Sequence, residues 1–245
     1  MRKSFLTWTV SLVLFASLTS CEILDQIMKS VPANVDPSET EIIGGLKEAL
    51  ANGAAQAVTI LSKEGGYYND PLVRIPFPQE VRQVEKTLRD IGAGQLVDDF
   101  LLRLNKGAEE GAKAALPIFK DAILSMSIAD AKNILFGSDT AATAYFRAKT
   151  SEQLYQAFSP QIRTSLDQVG AAKAWTDVTS RYNKIPLVKK VETDLVRYAT
   201  NKALDGLFLK LADEEKRIRE NPIARTTELL KKVFSYADRQ KAGGQ

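Results

Sequence analysis

DPSETEIIGGLKEALANGAAQAVTILS, residues 36–62, is the stretch whose pattern commits the chain to a helical fold. Its start combines Asp36 as a predicted N-cap with Pro37 at the first helical position, where a missing N–H breaks no intrahelical bond. Apolar residues then recur at helical spacing and fall on one face. That face consists of Ile43, Leu46, Leu50, Ala57 and Leu61. The spacing therefore predicts an amphipathic helix that packs against other helices.

Small residues form a second stripe on this helix, and a similar stripe occurs in a later helix. The first comprises Gly45, Ala49, Gly53 and Ala57, and the second comprises Gly107, Gly111 and Ala115. Small residues let helix axes approach to the short end of the usual 8–10 Å range, so we expect close packing at both stripes. On helix propensity alone, Gly53→Ala and Gly111→Ala are expected to be stabilising. Gly111→Leu is expected to destabilise by overpacking.

A proline-rich segment follows the first helix. Gly65 and Gly66 end the helix, and residues 67–78, YYNDPLVRIPFP, contain three prolines that prevent a continuous helix. The aromatic and aliphatic residues of the segment favour burial. We therefore predict an ordered extended loop, with a short strand at Leu72–Ile75 as one possibility, and a helix that starts at Pro78.

Helical signals continue to the end of the chain. The first predicted elements are a helix from Pro78 to Ile91, a long helix from Gln95 to Met126 kinked at Pro117, and two shorter helices capped by Ser127 and Ser138. They are followed by a helix that is capped at Thr150, restarts at Ser159–Pro160 and ends at Gly170, and by a helix with Trp175 and Tyr182. The last two are a long helix from Glu192 to Glu220 and a final helix from Asn221–Pro222 to Tyr236. Alternating patterns typical of strands are scarce. The predicted fold is all-α, a single domain of about 8 to 10 helices over residues 37–238, with a disordered tail at 239–245.

The N-terminus has the order of features of a secretory signal. Arg2 and Lys3 precede 14 largely apolar residues, 5–18, which are too few to cross a hydrocarbon core that needs roughly 20. The following Leu-Thr-Ser-Cys resembles the lipobox of bacterial lipoproteins. This resemblance implies a signal peptide at 1–20, cleavage between Ser20 and Cys21, lipidation of Cys21 and a tether at 21–36. An ordinary cleaved signal or a buried N-terminal helix is the alternative.

Composition restricts the class of partner. Removing residues 1–20 takes away Arg2 and Lys3, so the formal net charge falls from +3 to +1. A nearly neutral chain lacks the basic excess of nucleic-acid-binding proteins, and we expect no nucleic-acid partner. Glu22 after the predicted lipidated cysteine favours the outer membrane over retention in the inner membrane.

The chain contains no histidine, the commonest general base and transition-metal ligand. A His-dependent triad and a zinc protease site are therefore excluded, and the Gly-rich phosphate-binding and nucleophile-elbow motifs are also missing. Glu214 and Glu215 point about 100° apart on a helix, so they do not form a catalytic carboxylate pair. We expect no enzyme activity, no metal and no cofactor.

The densest charge cluster is DEEKRIRE, residues 213–220. Glu215 and Arg219 stand at i,i+4, which indicates a solvated face with ion pairs. The alternative is that Arg219 and Arg225 reach the loop of Arg74 or an anionic ligand. These three arginines are the candidate ligand-binding residues.

Three stretches resemble a bacterial family of domains of unknown function, family 4197, described as predicted envelope lipoproteins. They are residues 66–78 (GYYNDPLVRIPFP), 126–147 (MSIADAKNILFGSDTAATAYFR) and 207–234 (LFLKLADEEKRIRENPIARTTELLKKVF), and the similarity spans residues 43–234. The family implies no activity and no catalytic residues.

Two functions are consistent with these features. The first is a non-enzymatic envelope lipoprotein, anchored to the outer membrane through lipid and facing the periplasm, whose helical domain binds an envelope protein or a lipid. The second is a carrier of lipid or another small apolar ligand, or a His-free enzyme, with a pocket between helices. An apolar internal cavity with an arginine at its mouth would favour the second.

Overall fold

The helical periodicity of the sequence produces nine α-helices in the part of the chain that the computed structural model describes, residues 36–79, 82–168, 170–184, 186, 190, 192 and 194–243. They are α1 (Glu39–Ser62), α2 (Arg82–Asp90), α3 (Gly94–Ala112), α4 (Ala115–Leu124), α5 (Ile128–Leu135), α6 (Ala141–Asp167), α7 (Ala171–Tyr182), α8 (Leu195–Glu220) and α9 (Glu228–Gly243). No strand occurs among the described residues, which confirms the all-α prediction. The predicted signal peptide, Cys21 and the predicted tether up to residue 35 lie outside them.

Helix α6 organises the packing of the domain. It packs most extensively against α3 and next against α8, while α1 packs against α8, α9 and α4. Phe119 of α4 meets Phe146 of α6 edge-on at 4.9 Å between ring centroids, and Phe208 of α8 at 6.4 Å. All three rings are buried, so the core joins α4, α6 and α8. These helices belong to one compact unit that begins at Pro37.

The first helix begins later than predicted. Ser38, not Asp36, is its N-cap, since the Ser38 hydroxyl accepts a hydrogen bond from the Glu41 amide at 3.3 Å. The Glu41 carboxylate accepts the Ser38 amide in return at 2.8 Å. This reciprocal capping box satisfies two backbone donors at the start of the helix. The proline on which the Asp36 prediction relied satisfies no backbone donor.

The predicted long helix at 95–126 is two helices rather than one kinked helix. Helix α3 ends at Ala112 and α4 begins at Ala115. The ring of Pro117 conflicts with a helical carbonyl four residues earlier, at Lys113, and the chain resolves the conflict with a turn at that point. The proline therefore separates two helices.

Residues 141–167 show the opposite difference, because they form one helix where two were predicted. Thr150 does not cap a new helix, since its hydroxyl donates to the Phe146 carbonyl at 2.7 Å inside α6. Pro160 is exposed, and the carbonyl of Gln156 that loses its helical partner lies on the same exposed side. Ser138 also caps no helix, and α6 starts after Thr140.

The C-terminal region is more helical than predicted. Asn221 caps only a short 3₁₀ turn, Pro222–Ala224, and α9 begins at Glu228. Helix α9 continues to Gly243, so residues 239–243 are helical and not part of a disordered tail. Lys241 supports this extension by pairing with Asp139 at 3.5 Å.

Candidate functional site

Arg225, one of the three predicted ligand-binding arginines, is used inside the domain. Its side chain is 3% exposed. Its guanidinium donates to the Ile218 carbonyl at 3.1 Å and the Arg219 carbonyl at 2.6 Å, and pairs with Asp238 at 2.7 Å. It therefore satisfies the C-terminal carbonyls of α8 and links that helix end to α9. These contacts lie inside the domain, so Arg225 is not placed at a surface where a ligand could reach it.

Arg219 is also buried, which contradicts the prediction of a solvated face. It pairs with Glu215 at 2.9 Å, and the two side chains are only 9% and 6% exposed. The same guanidinium donates to the carbonyls of Ile134 at 2.8 Å and Leu135 at 3.2 Å. These carbonyls end α5, so Arg219 caps the C-terminus of a helix 84 residues away in sequence.

Glu215 performs the complementary task for the next helix. Its carboxylate accepts the backbone amides of Ala142 and Thr143, both at 2.9 Å, and the Thr143 hydroxyl at 2.8 Å. A carboxylate at a helix N-terminus satisfies free amides and interacts favourably with the helix dipole. Glu215 and Arg219 of α8 thus fix both ends of the α5–α6 connection.

Arg74 is the predicted ligand residue that stays on the surface. Its guanidinium lies over the ring of Tyr68, 4.3 Å from the centroid. Within the described part of the chain it forms no hydrogen bond or ion pair. Arg219 and Arg225 are committed to the far end of α8, so the structure does not bring the three predicted arginines together.

The loop that carries Arg74, residues 63–79, is held from below by two buried polar residues of α3. Asn105 accepts the Ile75 amide at 2.8 Å and donates to the Ile75 carbonyl at 3.0 Å. Glu109 accepts the amides of Tyr67 and Tyr68 at 3.2 and 3.3 Å. These bonds replace the strand pairing that the sequence suggested, and the loop contains no strand.

Helix α8 holds the other side of the loop. The hydroxyl of the fully buried Tyr67 donates to the Ala203 carbonyl at 2.8 Å, and burial raises the pKa of Tyr67 well above its ordinary value. Gly206 lets the loop approach, since a Cβ there would lie 3.0 Å from the Tyr67 ring and 3.1 Å from Val73. The hydroxyl of Tyr198 donates to the Pro76 carbonyl at 3.1 Å. The loop is therefore a fixed platform.

Asp70 and Lys210 form a further link between loop and α8. The Lys210 Nζ lies 2.7 Å from the Asp70 carboxylate, and the side chains are 13% and 26% exposed. The hydrogen bond from Lys210 lowers the pKa of Asp70, and the bond from the Leu72 amide contributes in the same direction. The folded state therefore binds a proton at Asp70 less readily than the unfolded state does.

Asp70→Asn is expected to lower the free energy of unfolding at pH 7 by about 0.5–1 kcal/mol, the range of a partly exposed pair. Because the pKa is depressed on folding, this stability is present above the unfolded value near pH ~4 and is lost as pH falls through the lower folded value. Urea denaturation at pH 7 and at successively lower pH measures the difference. Asp213→Asn is the matched control, since Asp213 is 54% exposed and 3.8 Å from the same lysine. An Asp70→Asn deficit that stays constant down to pH 2.5 would contradict the assignment.

Two surface grooves flank the Arg74–Tyr68 stack. One, of about 510 Å³, lies between the loop and α8 and is lined by Leu72, Val73, Arg74, Pro76, Gln79, Tyr198, Lys202, Asp205, Gly206 and Leu209. The other, of about 490 Å³, lies between the loop and α3 and includes Tyr68, Lys106 and Lys113. Both fall in the range of roughly 300–1,000 Å³ typical of small-molecule sites.

A small apolar cavity lies beside the buried Glu215–Arg219 pair. It measures about 30 Å³ and is otherwise lined by apolar residues, including Leu46 and Phe146. This volume is an order of magnitude below the roughly 300–1,000 Å³ of small-molecule pockets. This cavity therefore does not support an interhelical ligand pocket, although an arginine lines it.

Other candidate features can be located only in part. Cys21 and Ser20, the predicted lipidation and cleavage residues, lie outside the described residues. Within the described ranges, no group of three or more carboxylate or cysteine side chains is placed to hold a metal ion. None of the helices described combines the length and hydrophobicity that crossing a bilayer requires.

Comparison with known protein families gives a match over most of the chain. The model of a family described as protein of unknown function, DUF4197, matches residues 36–235. This chain belongs to the DUF4197 family. The resemblance inferred from residues 66–78, 126–147 and 207–234 is thereby confirmed, because all three stretches lie within the match. No curated protein and no solved structure matches the chain.

The three DUF4197 stretches meet on α8. Residues 66–78 contact this helix through Tyr67 and the Asp70–Lys210 pair. Residues 126–147 reach the same helix through Glu215 and Arg219. In this DUF4197 member the dense charge cluster of residues 213–220 thus joins parts of the chain that are distant in sequence.

Sequence reasoning missed Asn105 and Glu109, which position the loop of this DUF4197 chain. Both stand on the inner side of α3 and are 0% and 6% exposed. Their signal was the interruption of an apolar helix face by two polar residues at i,i+4. A buried polar side chain needs partners, and the proline-rich loop, with few backbone bonds of its own, supplies them.

Proposed function

We propose that this DUF4197 protein is a lipid-anchored, non-enzymatic binding module of the bacterial cell envelope. Its helical domain takes a ligand or partner on the groove between the 63–79 loop and α8. The observation that carries the binding role is the state of the arginines, because Arg219 and Arg225 are buried and bonded to internal partners while Arg74 keeps its donors free at a groove of about 510 Å³.

The anchoring role is supported by the N-terminal sequence. The order of basic residues, apolar segment, Ser20 and Cys21 favours acylation of Cys21. Several acyl chains give a durable membrane anchor, since each buried CH₂ contributes about 0.8 kcal/mol. Glu22 favours the outer membrane, with the domain facing the periplasm.

A non-enzymatic role is supported by how the domain uses its buried polar residues. Glu215 and Arg219 cap helices, and Asn105 and Glu109 hold the loop. No described buried side-chain nitrogen or oxygen lacks a hydrogen-bond partner. These groups are thus engaged in stabilising the fold. An interhelical pocket, which the carrier or His-free enzyme alternative requires, has less support, because the cavity beside Arg219 is only about 30 Å³.

Cys21→Ser is expected to move the protein from the membrane fraction to the soluble fraction, or to leave the signal uncleaved. The physical reason is loss of the sulfur that carries the acyl chain. Fractionation of cells, with the mass of the chain measured by mass spectrometry, checks both outcomes. Ser20→Ala retains a small residue at the cleavage position and is the control that should remain anchored.

The membrane fractions also test the binding role. The amount of envelope protein and lipid that the mature chain captures is expected to fall for Arg74→Gln. The captured amount is expected to persist for Lys120→Gln, because Lys120 is an exposed cation on α4, away from the groove. Normal processing and unchanged membrane partitioning of Cys21→Ser would contradict the anchor. Equal capture by both charge variants would contradict binding at the groove.

A further inference from the structure

Arg74 is held in a conformation suited to an anion. Stacking on Tyr68, 4.3 Å from the ring centroid, restricts the guanidinium without using its N–H donors. Asp98 interacts with it only through charge, as Asp98 is itself paired with Arg89 at 2.8 Å. A planar guanidinium with free donors matches the two oxygens of a carboxylate or phosphate in bidentate geometry.

Apolar side chains line the same groove. Leu72 is 70% exposed and Leu209 is 40% exposed, and Pro76 lies between the loop and α8 at the same site. Single exposed leucines are common, but here two of them line one concave volume of about 510 Å³ together with a free cation. A ligand that covers both features has an anionic group and an apolar chain.

The remaining charges of the groove do not oppose an anion at Arg74. Asp205, the carboxylate that lines it, lies 3.4 Å from Arg147 and 4.0 Å from Lys202. Two cations thus face one carboxylate, and Arg74 adds a further positive charge. The described charges that line the groove therefore sum to a positive value, which is complementary to an anionic head.

The size of the groove favours a single small molecule. Its volume of about 510 Å³ lies within the range of roughly 300–1,000 Å³ that is typical of small-molecule sites.

We propose that the groove between the 63–79 loop and α8 binds a single-chain anionic amphiphile. Its carboxylate or phosphate head pairs with Arg74, with Lys202 nearby, and its chain lies along Leu72, Pro76 and Leu209. This inference rests on the proposed binding role and names the ligand class of that groove. The lipid anchor at Cys21 is independent of it.

Isothermal titration of the mature chain, residues 21–245 with Cys21→Ser to avoid detergent, tests the proposal with octyl phosphate and octanoate below their micellar concentrations. Saturable 1:1 binding of at least one is expected. Arg74→Gln should weaken it about tenfold or more, the effect of losing a charge-assisted hydrogen bond. Arg74→Lys should weaken the binding less, because it keeps the positive charge. Leu72→Ser should also weaken the binding, because it removes an apolar contact with the chain of the amphiphile. Lys120→Gln, an exposed charge on α4, should change nothing.

Four results would overturn the proposal. The first is binding of octyltrimethylammonium as tight as that of octyl phosphate, which would make the head group irrelevant. The second is equal affinity for inorganic phosphate and octyl phosphate, which would make the apolar wall irrelevant. The third is binding to anionic vesicles with no binding of either soluble amphiphile. The fourth is unchanged affinity in Arg74→Gln. A thermal melt of each variant confirms folding. A variant that loses amphiphile binding but keeps its Cys21-dependent membrane anchoring shows that the binding site and the lipid anchor are independent.

Discussion

Replacing Glu215 with alanine is expected to lower the free energy of unfolding by about 3–5 kcal/mol, the cost of leaving a buried charge without its partner. The carboxylate accepts two backbone amides at the start of α6 and pairs with Arg219. Its removal leaves the guanidinium 9% exposed and unpaired, and frees helix amides in the interior. Urea denaturation followed by circular dichroism measures the loss.

A double variant separates the charge from the cap. Glu215→Ala with Arg219→Met removes both charges, so the loss should be smaller than the sum of the two single losses. Glu220→Gln is the control on the same helix, because its carboxylate is 57% exposed and 3.9 Å from Lys216. A loss below about 1 kcal/mol for Glu215→Ala would indicate that the pair behaves like a surface ion pair.

Gly111→Leu is expected to destabilise the protein by about 3 kcal/mol, at the upper end of usual overpacking costs. A Cβ at this position would lie 2.7 Å from the Phe158 ring and 3.1 Å from the Phe158 Cα. Helix α6 therefore contacts the bare backbone of α3, and the larger side chain forces the two helices apart. A thermal melt checks the direction, and a melting temperature equal to or above that of the parent would contradict it.

Gly53→Ala is the matched control for this prediction. A Cβ at Gly53 would meet Glu214 at 3.6 Å, an ordinary contact, so the gain in helix propensity of up to about 1 kcal/mol should appear as added stability. The propensity argument also predicted a gain for Gly111→Ala. The structure reverses that expectation, because even a methyl group meets the Phe158 ring too closely.

The close approach predicted from the two small-residue stripes has different partners for each stripe. Gly107 and Gly111 face α6, where a Cβ at Gly107 would lie 2.8 Å from the Ile162 Cα. Gly45 faces α9, where a Cβ at Gly45 would lie 2.8 Å from the Val233 side chain. The sequence marked the faces where backbones approach, but nothing in it named the approaching helix, since the partner is separated by some 50 to 190 residues.

Local signals predicted much of the fold. Ser127 forms the expected N-cap with Asp130, and Gly170 adopts a positive φ of 65° after α6. The predicted apolar face of α1 is buried at Leu46, Leu50, Ala57 and Leu61, and Ile43 is partly buried. Errors arose where two local signals competed, as at Asp36 and Ser38, or where a local signal was overruled, as at Thr150 inside α6.

The sequence by itself determined the all-α class, most helix positions, the proline-rich loop and the DUF4197 relationship, because periodicity, caps and turn residues act over a few neighbouring positions. Only the tertiary structure decided what the charged residues do. Glu215 contacts Thr143 across 72 residues and Arg219 contacts Leu135 across 84, so their roles depend on which helix ends lie beside α8. A carboxylate or guanidinium that is solvated in an isolated helix becomes a buried cap once packing places unpaired amides or carbonyls next to it, whereas Arg74 stays exposed on the surface and stacks on Tyr68.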